Sequence, residues 1–311
     1  MEKNRGKISF VIPCYKSERT IRQVVEEIRS VCESNGIDYE IIAVCDCSPD
    51  NVFAVLEALV AEGVVSKAVL LAKNAGKNNA VLAGLREASG SLFVVLDDDG
   101  QCPVDSGLLN LIKPVAQGIS DASYAAYPKK KQSALKNFGS SLNGLMAEKI
   151  IGKPKGLQIS NFVAFNLLVK EQIVKYEGPY VYLSGLILRA TSRVVNIEME
   201  ERKRLSGSTT FTISSMIDLL MSGFTSFSIL PVLLLPIFGS ALSLVLATLV
   251  VVLGLLPGAI EHCGYILLLS VLLLVAVLFA SVLVIGEYVG RSYMCLTGMP
   301  QYVVRFVCSK P

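Results

Sequence analysis

Three consecutive aspartates, Asp97, Asp98 and Asp99, are the side chains best placed for chemistry in this sequence. They directly follow SLFVVL, an apolar run with the composition of a buried strand. Neighbouring carboxylates repel one another, and a divalent cation would offset that repulsion. Because side chains alternate along an extended chain, Asp97 and Asp99 point to one side and Asp98 to the other. We therefore predict that Asp97 and Asp99 hold Mg²⁺ or Mn²⁺ together with ligand phosphates; a solvated acidic turn without a ligand is the alternative.

A second acidic turn, CDCSPDN, follows the apolar run YEIIAV. Its Asp46 is placed to accept a hydrogen bond from a nucleobase, and Asp50 is expected to cap the following helix. Tyr15 and Glu18 come just after the first apolar run, ISFVI, and are expected beside Asp46. Tyr15 either stacks on a base or only packs against its neighbours, and the sequence leaves both roles open.

A basic segment, ERKRLSGSTTF, precedes the apolar part of the chain. The guanidinium groups of Arg202 and Arg204 match phosphate oxygens in geometry and charge. The same charges also suit a position beside a membrane, and both roles can hold together. Gly207, in a run rich in serine and threonine, predicts a loop able to close over a ligand.

Short apolar runs alternate with amphipathic helical stretches near the start of the chain. This alternation predicts an α/β fold with a mostly parallel sheet and helices on both faces. In such sheets ligands bind at the carboxyl ends of the strands, where both acidic turns lie. The predicted strands are residues 8–12, 39–44, 67–72 and 91–96, and the predicted helices are 19–35, 51–63 and 77–88.

Two long apolar segments, about 230–256 and 264–286, each exceed the roughly 20 residues that span a bilayer. Two buried core helices are the alternative, but neither segment has a polar face. The connection PGAIEHCG lacks lysine and arginine, whereas both flanks carry them, which predicts cytosolic termini. The predicted organisation is a cytosolic catalytic domain over 1–210, a juxtamembrane amphipathic helix or linker over 211–229, two transmembrane helices within 230–290 and a cytosolic tail over 291–311.

The composition agrees with a multi-pass protein of the cell membrane. Hydrophobic residues make up 52% of the chain and its mean hydropathy is +0.54, both high for a purely soluble protein. A net charge of +3 without a dense basic stripe argues against nucleic-acid binding. The sequence has a single histidine and no Cys-x-x-Cys pair, so a zinc site is not predicted.

Five motifs in order resemble the family 2 glycosyltransferases, and most closely the polyisoprenyl-phosphate glycosyltransferases. They are VIPCY, CDCSPDN, NAGKNNAVLAGL, LDDDGQCP and RLSGSTTFT, and the resemblance runs from residue 8 to about 295. It implies a GT-A fold, with Rossmann-like topology. It also implies inverting transfer of a hexose from a nucleotide sugar to a polyisoprenyl phosphate, such as undecaprenyl phosphate, at the cytosolic leaflet. UDP-glucose is the donor that the resemblance favours; UDP-galactose, a nucleotide-linked N-acetylhexosamine and GDP-mannose are the alternatives. Cell-envelope assembly is the implied setting.

The resemblance also implies roles for individual residues. The nucleoside pocket would be lined by Pro13, Tyr15, Glu18 and Asp46. The donor diphosphate would lie near Asp97, Asp98 and Gln101, with the metal on Asp97 and Asp99. The loop that closes on the phosphates would contain Arg202, Arg204, Gly207 and Thr209. Catalysis would depend most on Asp99, Arg204 and the position of Asn161.

Three residues depart from the family pattern. Cys45 stands where an aspartate is usual, which leaves Asp46 as the base contact, and Cys102 stands where Asp, Thr or His is common. Asn161 replaces the proposed catalytic aspartate and cannot take up a proton. A phosphate acceptor, whose second pKa is about 6, is already ionised near pH 7 and needs no base. We therefore expect Asn161 to orient such an acceptor; a slow or inactive enzyme is the alternative.

Two rival functions stay open at this stage. A processive polysaccharide synthase is disfavoured because the chain has no tryptophan for the Gln-x-x-Arg-Trp motif and only two predicted spans. A degenerate, non-catalytic membrane scaffold would explain Asn161 and Cys45. Paired apolar helices are also compatible with a homo-oligomer.

Overall fold

The computed structural model describes residues 6–127, 153–178, 181–200, 202, 230–254 and 260–309. The chain divides into two compact units. One unit contains Met1–Ile213 together with Pro300–Pro311, and the other contains Ser214–Met299. The predicted site residues that the structure describes all fall in the first unit.

The first unit is built on a mixed sheet in the order β7-β5-β6-β4-β1-β2-β3-β8. Strands β1 to β4 are parallel, whereas β6 and β8 run antiparallel to their neighbours. The four predicted strands are confirmed, and they are the buried parallel centre of the sheet. The strands are β1 (Ile8–Cys14), β2 (Tyr39–Cys45), β3 (Lys67–Leu71), β4 (Leu92–Val95), β5 (Ala122–Ala126), β6 (Val163–Asn166), β7 (Val194–Glu198) and β8 (Val304–Ser309).

Helices cover both faces of this sheet, as predicted. On one face the side chains of Phe10 and Ile12 join a core that includes buried residues of α1, α2 and α4. Val11 points to the opposite face, where α3 approaches so closely that a Cβ atom on Gly84 would lie 2.5 Å from its Cγ1. The helices of this unit are α1 (Ile21–Ser34), α2 (Val52–Ala61), α3 (Lys77–Glu87), α4 (Val104–Ala116), α5 (Leu167–Val174) and α6 (Leu183–Ala190).

The end of the chain returns to this sheet. Residues 291–311 were predicted to form a tail, whereas β8 pairs antiparallel with β3, from Lys67 opposite Ser309 to Leu71 opposite Val304. The ring of Phe306 packs edge-on against Phe53 of α2, with 6.2 Å between centroids. β8 is therefore an edge strand of the first unit's sheet, although the two apolar helices separate it from the other strands in sequence.

The second unit contains helices α7 (Leu230–Gly254) and α8 (Ile260–Leu296). Within them, Val232–Val252 and Leu267–Leu296 are long and apolar enough to cross a membrane. Only 6% of the apolar stretch in each segment is buried. This exposure favours membrane spans over the alternative of buried core helices. α8 extends beyond the predicted end near 286, and a charged pair stabilises its last turns: Arg291 Nε donates to Glu287 Oε1 one turn away (2.7 Å).

A buried carboxylate at the amino end of the sheet predicts a pH-dependent stability. Glu40 is 4% exposed and accepts hydrogen bonds from Ser9 Oγ and Ser89 N, each at 2.6 Å. Its Oε2 also lies 2.8 Å from Lys7 Nζ. Burial acts to raise the pKa of Glu40, but these hydrogen bonds outweigh it and lower the pKa to about 2.

Because the folded state lowers this pKa, the ionised Glu40 stabilises the protein above pH 4.5, and the contribution is lost as the pH falls toward 2. We expect Glu40→Gln to lower the thermal midpoint at pH 7 and to approach wild type as the solution is acidified. Thermal unfolding of both proteins in detergent between pH 3 and 7 measures this, with the exposed Asp38→Asn as the control. A gap between the Glu40→Gln variant and wild type that does not change with pH would contradict the assignment.

Candidate active site

The carboxyl ends of β1, β2, β3 and β4 meet at one edge of the sheet, because these strands are parallel neighbours. Pro13 is buried in β1, and the segments that follow β1, β2 and β4 contain the other predicted donor-binding residues. The two acidic turns are therefore brought together at this edge, as the sequence predicted.

The loops after β1 and β2 are joined by backbone-to-side-chain hydrogen bonds. The N–H of Lys16 donates to Ser48 Oγ (2.7 Å), and the N–H of Glu18 donates to Asp50 Oδ2 (3.0 Å). Glu18 in turn accepts from the N–H of Asn51 (2.8 Å). The expected helix cap by Asp50 is wrong, because α2 begins after Asn51 and Asp50 fixes the neighbouring loop instead. Glu18 is held beside the second turn, where sequence analysis placed it.

Asp46 is almost fully buried and holds the segment that leads into α3. Its two carboxylate oxygens accept hydrogen bonds from the N–H groups of Ala75 (2.7 Å) and Gly76 (2.8 Å). Burial raises the pKa of Asp46, although both amides act to lower it. The carboxylate thus fixes the backbone just before α3, a role that the spacing of the sequence does not reveal. The predicted base contact of Asp46 stays a prediction.

Asp98 points back toward the end of β1. Its Oδ2 accepts a hydrogen bond from the N–H of Tyr15 (3.0 Å). Burial raises its pKa to about 6 against the opposing effect of the hydrogen bond from the N–H of Tyr15. The side chain of Tyr15 is 45% exposed, with Lys16 Nζ 5.3 Å from its ring centroid. A ring with this exposure is accessible to a base, and Asp98 positions the backbone that carries it.

Asp97 is the meeting point of three elements. Its Oδ1 forms an ion pair with Lys77 Nζ, from the first turn of α3. Its Oδ2 accepts a hydrogen bond from Asn161 Nδ2 (2.9 Å), because the segment before β6 runs antiparallel beside β4. Asn161 therefore lies beside the predicted metal ligand. Sequence reasoning missed Lys77, although it is part of the motif NAGKNNAVLAGL; its position as the first helical residue after a glycine was the available signal.

Asp99 faces the segment after the acidic turn, where its Oδ1 accepts from the N–H of Gln101 (3.0 Å). Among the described residues, no group of three or more histidine, cysteine or acidic side chains converges on one metal position. A divalent cation at Asp97 and Asp99 would thus complete its shell with water or phosphate oxygens. Two hard carboxylate ligands with open positions fit Mg²⁺ or Mn²⁺ bound to a diphosphate.

Arg202 is held by carboxylates of two helices. Its Nη1 donates to both oxygens of Glu27 in α1 (2.8 and 3.0 Å), and its Nη2 pairs with Asp105 in α4. These ion pairs favour a structural role for Arg202. They do not support phosphate binding by Arg202, which stays a prediction. The other residues of the predicted closing loop, Arg204, Gly207 and Thr209, lie outside the described residues.

A cavity of about 350 Å³ lies at the same edge of the sheet, beyond the ends of β5 and β7. Two glutamates in its lining would repel a phosphate, whereas carboxylates and amides accept hydrogen bonds from hydroxyl groups. The cavity therefore suits the hydroxyl-bearing part of a ligand better than its phosphates. It is lined by Ala126, Tyr127, Gln158, Glu198, Met199 and Glu200.

The part of the chain that contains the acidic edge matches a known protein family. The family model described as Glycosyl transferase family 2 matches residues 9–176, which is more than half of the chain. These residues contain β1 to β6 and the whole of the acidic edge.

Curated relatives match nearly the full length. The undecaprenyl-phosphate 4-deoxy-4-formamido-L-arabinose transferase of Serratia proteamaculans is 27% identical over 307 residues, covering 97% of this chain and 94% of its own length. The protein of the same name from Proteus mirabilis is also 27% identical, over 308 residues.

Among solved structures, glucosyl-3-phosphoglycerate synthase from Mycobacterium tuberculosis has a similar fold. Its complex with Mn²⁺ and UDP-glucose aligns with a TM-score of 0.51 at 19% identity, covering 70% of this chain and 76% of that one. Its complex with phosphoglyceric acid gives a TM-score of 0.50 at 18% identity, covering 70% and 80%. At this identity the likeness establishes the fold alone.

Proposed function

The chain belongs to glycosyl transferase family 2, and from that membership we propose that it transfers a sugar from a nucleotide sugar to a polyprenyl phosphate at the membrane. Glycosyltransferase activity and the GT-A fold, both predicted from the motifs, are confirmed. One observation carries the more specific proposal. Carboxylates suited to a metal-bound diphosphate lie on a sheet whose last strand follows two helices long and apolar enough to span a bilayer.

The acceptor is the part of the proposal that the relatives support. Their name specifies undecaprenyl phosphate, and they match 97% of this chain, including the apolar helices. A lipid phosphate is confined to the membrane, so an enzyme that uses it gains from being anchored there. Undecaprenyl phosphate is therefore the acceptor we propose.

The return of β8 supports the proposed membrane topology. Strands from before and after the apolar helices belong to one sheet, so two crossings must bring the chain back to the side from which it left. Basic residues on that side, such as Arg305, favour the cytosol. We propose that the catalytic domain and both ends of the chain are cytosolic; a homo-oligomer stays a prediction.

The proposed reaction is one displacement with inversion at the anomeric carbon. The acceptor phosphate, with a second pKa of about 6, is largely a dianion at pH 7 and can attack without a general base. A divalent cation bound by Asp97 and Asp99 would neutralise the departing nucleotide diphosphate. Asn161, 2.9 Å from Asp97, holds one oxygen of that carboxylate and leaves no protonatable group at its own position.

The sugar is less closely defined than the acceptor. The motifs favour UDP-glucose, whereas the relatives are named for 4-deoxy-4-formamido-L-arabinose. Both carry hydroxyl groups that suit the glutamate-lined cavity. UDP-glucose stays a prediction, and the nucleotide-linked form of the relatives' sugar is its main competitor.

The test is transfer of label into lipid. Membranes containing the protein are incubated with Mn²⁺, undecaprenyl phosphate and each of a panel of labelled nucleotide sugars. We expect one donor to give chloroform-soluble label that depends on both the lipid phosphate and the divalent ion. If no donor labels the lipid while the protein still binds UDP, the polyprenyl phosphate acceptor is wrong.

Replacing Asn161 tests whether a base is missing. We expect Asn161→Asp to lower turnover at pH 7, because a carboxylate would then face Asp97 where the amide now donates a 2.9 Å hydrogen bond. Asn161→Ala, which removes the hydrogen bond without adding charge, is the matched control. Initial rates between pH 5.5 and 8.5 measure both variants. A gain of orders of magnitude in the Asn161→Asp variant would show instead that the wild-type enzyme lacks a needed base.

A further inference from the structure

Both oxygens of Asp97 are occupied in the ligand-free protein. Lys77 Nζ pairs with Oδ1, and Asn161 Nδ2 donates to Oδ2 at 2.9 Å. The side chain of Asp97 is 20% exposed and that of Lys77 is 41% exposed. A cation from solvent that approaches Asp97 therefore meets an ammonium group already in place, with room on the solvent side for that group to move.

The backbone just before Lys77 is held in place by a buried carboxylate. The buried carboxylate of Asp46 binds the N–H groups of Ala75 and Gly76. Gly76 takes a φ of 87°, which glycine adopts without strain, and α3 begins at the next residue. The root of the Lys77 side chain is thus fixed while its four-carbon stem remains flexible.

The charges around Lys77 suit an anion once Asp97 is otherwise neutralised. The first turn of α3 contains no acidic residue. The positive end of the helix dipole therefore adds to the lysine charge. Lysine is a common phosphate ligand because its ammonium is a compact charge with three donors. A divalent cation on Asp97 would repel Lys77, and a diphosphate beside that cation would attract it.

We infer that Lys77 alternates between two partners: it neutralises Asp97 in the metal-free protein and binds the donor diphosphate once Asp97 has taken up a divalent cation. This inference rests on the proposed function, since it assumes a nucleotide diphosphate ligand. Lys77 would therefore compete with the divalent cation for Asp97 when no donor is bound. When the cation and the donor are bound, Lys77 would instead stabilise the donor diphosphate.

The inference predicts two effects of opposite sign for Lys77→Met. Without donor, Mn²⁺ should bind more tightly by about fivefold, the scale of a partly exposed ion pair. With saturating Mn²⁺, UDP should bind more weakly by about tenfold, the scale of a hydrogen bond between charged groups. Lys77→Arg keeps the charge and should stay close to wild type in the first measurement. Lys73→Met is the control, because Lys73 is an exposed lysine in the loop between β3 and α3. It should change neither Mn²⁺ binding nor UDP binding.

The experiment uses the full-length protein in detergent. Free Mn²⁺ is followed by electron paramagnetic resonance, UDP binding by isothermal titration calorimetry, and folding of each variant by its thermal midpoint. Unchanged or weaker Mn²⁺ binding by Lys77→Met, or unchanged UDP binding, overturns the inference. Neither measurement involves sugar or lipid, so failure of lipid labelling leaves this result standing. A wild-type protein that binds no UDP with Mn²⁺ would overturn both proposals.

Discussion

Replacing Asp99 with alanine is expected to abolish sugar transfer while leaving the fold of the catalytic domain intact. Asp99 lies in the turn after β4, and its Oδ1 accepts one hydrogen bond from the N–H of Gln101. Removing one of the two carboxylates proposed to bind the metal would take away stabilisation of the departing diphosphate, which at several kcal/mol corresponds to at least roughly a thousandfold loss of rate. Label transfer to lipid, measured beside the thermal midpoint, separates the two effects.

The control for Asp99→Ala is Asp38→Ala, an exposed aspartate at the opposite, amino-terminal edge of the sheet. It should retain wild-type activity. Mn²⁺ binding should weaken in Asp99→Ala and not in the control. Activity of Asp99→Ala within a few-fold of wild type would remove Asp99 from the proposed metal site.

Replacing Asp46 with asparagine is expected to reduce both stability and nucleotide binding. Its two oxygens accept from the N–H groups of Ala75 and Gly76, whereas asparagine offers one oxygen and one amino group. One half-buried N–H would then face another donor, at a cost of about 1 kcal/mol. The segment before α3 would shift, and Lys77 with it. We expect a lower thermal midpoint and weaker binding of UDP and CDP alike.

This experiment also separates two roles of Asp46. If Asp46 reads the nucleobase, as predicted from the sequence, Asp46→Asn should alter the preference for UDP over CDP and leave the thermal midpoint near wild type. If it holds the backbone, both nucleotides should weaken together and the midpoint should fall. Calorimetry with each nucleotide and Mn²⁺ decides, with Asp38→Asn as the exposed control.

Local pattern was sufficient for the central strands and the acidic edge. β1, β2 and β4 are short runs, buried except for the first residue of β2, and each ends at a polar turn. In a parallel sheet, such turns must meet at one edge, so the grouping of Tyr15, Asp46 and Asp97 followed from strand direction alone. The apolar helices were equally readable, because a long stretch without charge has few alternatives to a bilayer.

The partners of each charged side chain were not readable in the same way. Asp46 and Asp97 both follow a strand, yet one binds backbone amides inside the protein and the other binds Lys77 and Asn161 at the surface. Arg202, predicted to bind phosphate, pairs with Glu27, 175 positions away. The partner of each charged group depends on which groups the fold brings within hydrogen-bonding distance. The spacing of residues in the sequence does not predict these partners.

The local sequence and the tertiary structure therefore determine different features of this protein. The sequence by itself determined that Asp97 and Asp99 end a buried strand and that the chain contains two membrane-length helices, because periodicity and hydrophobicity act locally. Only the tertiary structure decided that β8 closes the sheet on β3 after those helices, and that Lys77 and Asn161 occupy both oxygens of Asp97. These contacts join residues far apart in the chain, and packing of the whole sheet selects them.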